Sequence, residues 1–153
     1  MIDLASEVRR RSAEQLTAGM LAKLDAAMSH YLATHPAPAV HPLIDDANLP
    51  APAGPVEERL HRSARANNVD FLRFLRGDGD LTASTFADLP ASLYDERTVR
   101  DAWGNPIVYM PYLHPEIGMA PDDRPFFFSP GPDGLYLTRV DNLYSYEVVG
   151  KEQ

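Results

Sequence analysis

The chain has no cysteine, which removes disulfides, thiolate metal sites and cysteine nucleophiles together. It also lacks an excess of positive charge. A formal charge of -8 and a pI near 5.0 argue against a phosphate-binding surface, because nucleic-acid affinity rests on clustered Lys and Arg that displace counterions. Nucleic acid is therefore not expected as a partner. No stretch approaches the ~20 apolar residues of a membrane span, and Met1 to Glu7 are too polar for a signal peptide. As written, the chain reads as soluble.

Catalytic patterns are missing as well. There is no Gly-x-Ser-x-Gly elbow and no Gly-rich phosphate cradle. The histidines, His30, His35, His41, His61 and His114, show no ligand spacing, so neither zinc nor a His-based triad is expected. Asp122-Asp123 beside Arg124 reads as surface charge. No enzyme activity is expected.

What is present fits one domain of 153 residues, long enough to bury about two-thirds of its unfolded surface. From Ser6 to Thr34 there is no Pro, and Leu16, Met20, Leu21, Leu24, Met28, Tyr31 and Leu32 recur in steps that form one helical stripe. Lys23, Asp25, Ser29 and His30 fall mainly off that stripe and are expected to be wet. The long helix is placed in residues 1–35, and its Ser6 to Thr34 stretch alone would be roughly 40 Å long at ~1.5 Å per residue, so one end is expected to project. Arg9, Arg10 and Arg11 near its start read as a solvated basic face rather than a membrane-proximal one.

Pro36, Pro38, Pro42, Pro50, Pro52 and Pro55 make residues 36–55 an extended connector. Helix signals return at Val56 to Leu75, with Leu60, Ala64, Val69, Phe71, Leu72 and Leu75 for burial and Gly77-Asp78-Gly79 as the stop. Asn67-Asn68 weakens the middle, so one bent helix or two short ones are expected, with another helical turn over Ser84 to Leu89. Residues 56–100 thus form a helical insertion. Residues 101–150 form the sheet. Its strands are Ile107 to Met110, Arg124 to Phe128 and Tyr144 to Val149, with Leu135 to Leu137 as a short fourth. The fold class is α+β, a long N-terminal helix packed on a small antiparallel sheet.

Two polar segments punctuate that sheet. Asp101-Ala102-Trp103-Gly104-Asn105-Pro106 has the makings of a turn, in which Asp bonds the backbone two residues on and Gly allows a positive φ. The lone Trp103 is expected to close the sheet over the long helix. Ser129-Pro130-Gly131-Pro132-Asp133-Gly134 reads either as a hairpin turn capped by Asp or as a loop wrapping a hard cation, with charge from Asp133 and Asp141.

Taken in order, these features resemble the major pseudopilin of type II secretion systems and its type IV pilin-like relatives. Asp101, Trp103, Gly104, Pro106 and Tyr109 match that family's Asp-x-Trp-Gly-x-Pro turn and aromatic strand. Ser129, Gly131, Asp133 and Gly134 match its Ser-x-Gly-x-Asp-Gly element, and Asp141-Asn142-Leu143 stands where it has an acidic step. The resemblance implies a pilin-like fold and a non-enzymatic structural subunit in protein transport, assembling with itself or other pseudopilin-like subunits through the long helix. It also implies calcium in the last loop, with Asp133 and Asp141 as the main ligands and Asn142 and Ser129 as weaker ones. The implied location is the cell envelope, on the periplasmic side of the inner membrane. The family's leader and membrane-spanning half-helix do not appear here, so contact with a membrane requires an upstream hydrophobic segment. The alternative is a soluble accessory or binding module, cytoplasmic in the absence of a targeting signal, that keeps the domain without an anchor.

Overall fold

The computed structural model describes residues 4–43, 56–77, 93–94, 97–115, 117–137 and 139–147. It is α+β. Helix α1 spans Leu4–Thr34 and helix α2 spans Val56–Gly77. Strands β1 (Val108–Met110), β2 (Phe126–Ser129) and β3 (Leu143–Tyr144) form an antiparallel sheet in the order β1-β2-β3. The register pairs Tyr109 with Phe127 and Phe128 with Tyr144.

Every strand residue is buried, because both faces of the sheet are covered and the strands read as continuous apolar runs rather than alternations. On one face Ile107, Tyr109, Phe127 and Leu143 meet Met20, Leu21, Leu24 and Met28 of α1 and Phe71, Leu72 and Leu75 of α2. On the other, Val108, Met110, Phe126, Phe128 and Tyr144 meet Leu60 and Ala64 of α2, together with Leu43, Ile117 and Tyr136. Helix α2 therefore serves both cores. It does so by crossing the outer edge of β1.

That crossing explains Asn67-Asn68, which do not break α2: the helix is continuous from Val56 to Gly77. Both side chains are fully buried. Asn67 Oδ1 accepts from Tyr109 N at 2.8 Å, and its Nδ2 donates to Tyr109 O and to His41 O, each at 2.9 Å. Asn68 Oδ1 accepts from Val99 N at 3.0 Å, and its Nδ2 donates to Val99 O and Ile107 O, each at 2.7 Å. An amide offers one acceptor and two donors in a plane, the same pattern a neighbouring strand would present. The two side chains thus stand in for a fourth strand and cover a free edge. Helix propensity costs for Asn are a few tenths of a kcal/mol, which tertiary bonds of this kind override.

Other expectations shift too. Val69 is 37% exposed, on the outer face of α2. Residues 135–137 form no strand, because carboxylates take their amides: Leu135 N donates to Asp133 Oδ1, and Tyr136 N and Leu137 N donate to the two oxygens of Glu57. Strand β3 stops at Tyr144, where Glu147 N turns back to Tyr144 O. Tyr146 still stacks on Tyr144, with ring centroids 4.9 Å apart. Trp103 is half-buried and packs with Ala102 against the α1-side core.

Of α1, no residue before Thr17 is buried, so its first turns extend past the body of the domain. Two of the arginines there have acidic neighbours on the same helix, and Arg9 donates to the Ser6 hydroxyl at 3.2 Å. Arg10 pairs with Glu7 and Glu14, and Arg11 lies 3.8 Å from Glu7. Such exposed pairs are screened by solvent and contribute little to stability. No described helix is long and apolar enough to cross a membrane. The helical turn expected at Ser84 to Leu89, the connector beyond Leu43, Asp78-Gly79 and Val148-Val149 lie outside the described residues.

Candidate functional site

The two polar segments meet. Asp101 is fully buried at the centre of the contact. Its Oδ1 accepts from Trp103 N at 3.0 Å and Asn105 N at 2.8 Å, and its Oδ2 accepts the Ser129 hydroxyl at 2.6 Å. Ser129 Oγ in turn accepts from Gly131 N at 3.0 Å, and Asn105 Nδ2 donates to Gly131 O at 3.3 Å. Ala102 N donates to Thr17 Oγ1 at 3.0 Å, which ties the turn to α1. A buried carboxylate without partners would be costly; this one has four bonds, counting Asn105 Nδ2 at 3.4 Å. Burial pushes its pKa up, while the Ser129 hydroxyl and the Asn105 and Trp103 amides hold it back.

Gly131 and Gly134 make the loop possible. Both have positive φ, 79° and 69°, which side-chain-bearing residues adopt at a cost. A Cβ on Gly131 would lie 2.1 Å from the backbone oxygen of Asp141. The two ends of the loop are therefore in direct contact, Gly131 against Asp141.

Of the four ligand candidates, Asp133 and Asp141 come together. The Asp141 carboxyl is raised from its ordinary value by partial desolvation and by the neighbouring Asp133 carboxylate. Two like charges held together favour a proton or a cation between them. Asp133 also caps its own turn through Leu135 N, 2.9 Å away. Asn142 is buried with its Nδ2 on Tyr136 O and the Tyr144 hydroxyl, each at 3.2 Å, while its Oδ1 is buried without a partner. Ser129 is engaged with Asp101 and Gly131 instead. Among the described residues no group of three or more His, Asp or Glu is placed to hold a metal. A cation here would draw two carboxylates, with an amide or backbone oxygens completing the six to eight ligands that calcium takes. The paired carboxylates are of the hard oxygen type that calcium takes, whereas Asn142 is held against Tyr136 and Tyr144.

A second polar group, which sequence reasoning missed, sits on the opposite flank. Asp25 of α1 is half-buried beside Arg124 and hydrogen-bonds the Ser145 hydroxyl; burial raises its pKa, and these two partners oppose the rise. Tyr109, buried next to it, has its hydroxyl pushed up to about 12 by burial and by the Asp25 charge. The signal was in the row Leu21, Asp25, Met28, Leu32, whose steps of four, three and four place the acid among buried neighbours.

The fold and the loop define an α+β domain whose last third is tied by an internal carboxylate hub and carries a close carboxylate pair on its rim. No family model matches the chain, and no curated protein or solved structure matches it.

Proposed function

We propose that the protein is a non-enzymatic structural subunit of pilin-like fold, similar to the major pseudopilin of type II secretion. In this reading it assembles with copies of itself or related subunits through α1, and calcium across Asp133 and Asp141 stiffens its last loop. The cell envelope, on the periplasmic side of the inner membrane, is the location that goes with it.

The observation that carries the reading is the front of α1. Leu4, Val8 and Leu16 are 78%, 57% and 36% exposed, on roughly 20 Å of helix at ~1.5 Å per residue that the domain leaves uncovered. Apolar side chains on an uncovered helix gain ~25 cal/mol per Å² when a partner removes them from water. The loop fits the same role. Ser129, Gly131 and Asn105 hold it through internal bonds around Asp101, which suits a rigid surface for packing.

Sedimentation of the whole chain tests assembly. Self-association that rises with concentration, and that a triple Leu4→Ser, Val8→Ser, Leu16→Ser variant abolishes without lowering thermal stability, is the expected result. A wild-type chain that stays monomeric up to roughly millimolar concentration, where even a weak contact of about 4 kcal/mol would register, overturns it.

A further inference from the structure

Where α1 passes the end of β1 and the start of β2, it leaves a half-open cleft of about 360 Å³. One wall is α1, with Met28, Leu32 and Ala33; the other is Tyr109, Arg124 and Pro125. The lining is mainly apolar. Four polar residues interrupt it: Asp25, the exposed Ser29 and the buried Tyr109, with Arg124 on the exposed rim. Ser145 anchors Asp25 to the sheet, since its oxygen also accepts from Phe127 N at 3.0 Å.

The charges select among ligands. A purely cationic ligand reaching Asp25 would meet Arg124, and a purely anionic one reaching Arg124 would meet Asp25; like-charge contact of this kind costs affinity. A neutral apolar ligand would strip water from Asp25 without replacing it. A molecule with ammonium and carboxylate on neighbouring atoms satisfies both, and an apolar side chain on it would lie along Met28, Leu32 and Pro125. Ligand pockets run from ~300 to ~1,000 Å³, so a cleft at the small end takes one residue or two, not a longer peptide.

We propose that this cleft binds a small zwitterion of the apolar α-amino-acid class, with its ammonium on Asp25, its carboxylate on Arg124 and its side chain against the α1 wall. The site does not involve the front of α1 or the Asp133 loop, so it stands apart from the assembly reading.

Titration of the isotope-labelled whole chain with L-leucine, followed by amide shifts and calorimetry, tests it. Leucine should produce saturable shifts at Ser29, Ala33, Tyr109 and Arg124. Leucinamide, which has only the positive charge, and 4-methylpentanoate, which has only the negative, should each bind about tenfold more weakly or worse. Asp25→Asn should weaken leucine by a similar factor. Arg124→Gln, at an exposed position outside both cores, should weaken leucine while leaving leucinamide equal or tighter. No saturable shift with leucine up to roughly 10 mM, near the weakest affinity such a titration resolves, overturns the proposal. So does equal binding of the three compounds, or an Arg124→Gln variant that binds leucine as well as wild type.

Discussion

Truncating Asn68 is the most informative perturbation of this fold. In Asn68→Ala the Val99 carbonyl keeps the Ile107 N–H, 3.2 Å away, so the stranded groups are Val99 N–H and the Ile107 carbonyl. Each buried group left without a partner costs ~1–3 kcal/mol, and the lost amide leaves a void that a water can partly fill. The expected loss is about 3–4 kcal/mol, a large part of the ~5–15 kcal/mol that holds a typical domain together. Helix propensity works the other way, since Ala is a better helix former than Asn by about half a kcal/mol. Urea unfolding followed by helix circular dichroism and by Trp103 fluorescence gives the value, with Asn68→Asp as the companion variant. A carboxylate there would face two carbonyls instead of donating to them and should be at least as harmful. A loss below about 1 kcal/mol with an unchanged denaturant slope would refute the view that the amide substitutes for a strand.

Three further outcomes follow from the loop and its hub. Gly131→Ala forces a Cβ against the Asp141 backbone at positive φ and should cost about 3 kcal/mol or more in the same urea assay; a near-neutral result would mean that the Gly131–Asp141 contact is not formed. Calcium should raise the thermal midpoint by the mass-action term, about 2.7 kcal/mol at a hundredfold excess over the dissociation constant, and Asp141→Asn should remove the effect. No shift across millimolar calcium would leave Asp133 as a turn residue only. Asp101 has a raised folded-state pKa, so the folded chain holds its proton to higher pH than the unfolded one. Its contribution, read as wild type minus Asp101→Asn, should be largest below the ordinary carboxyl value near 3.9 and decline as pH rises through the raised folded value. A difference that grows with pH across that window would contradict the assignment.

The sequence made the helices and the first two strand centres legible, because Leu21, Leu24 and Met28 repeat at helical spacing and Phe126-Phe127-Phe128 is an apolar run, while the third strand was expected from Tyr144 onward and lies at Leu143–Tyr144. The Asp101 turn was legible for a local reason: its bond to the amide two residues on needs only neighbouring backbone. What stayed hidden depended on distant partners. Asn67 and Asn68 look like weak helix formers until the edge of β1 lies beside them. Residues 135–137 look like a strand until Glu57, far back in the chain, takes two of their amides. Leu16 belongs to the α1 stripe by spacing yet is exposed, since only the chain's other elements decide where the core ends. Asp25 looked wet because its neighbours Arg124 and Ser145 are supplied by the sheet.

The position of α2 ties the fate of the whole domain to one helix. With its first half in one core, its last half in the other and its two central amides on the strand between them, it cannot lift without opening both cores at once. Partial melting has no stable stopping point there. The backbone hydrogens of Tyr109 and Val99 should therefore exchange with solvent only when the entire molecule unfolds, making them reporters of global rather than local opening.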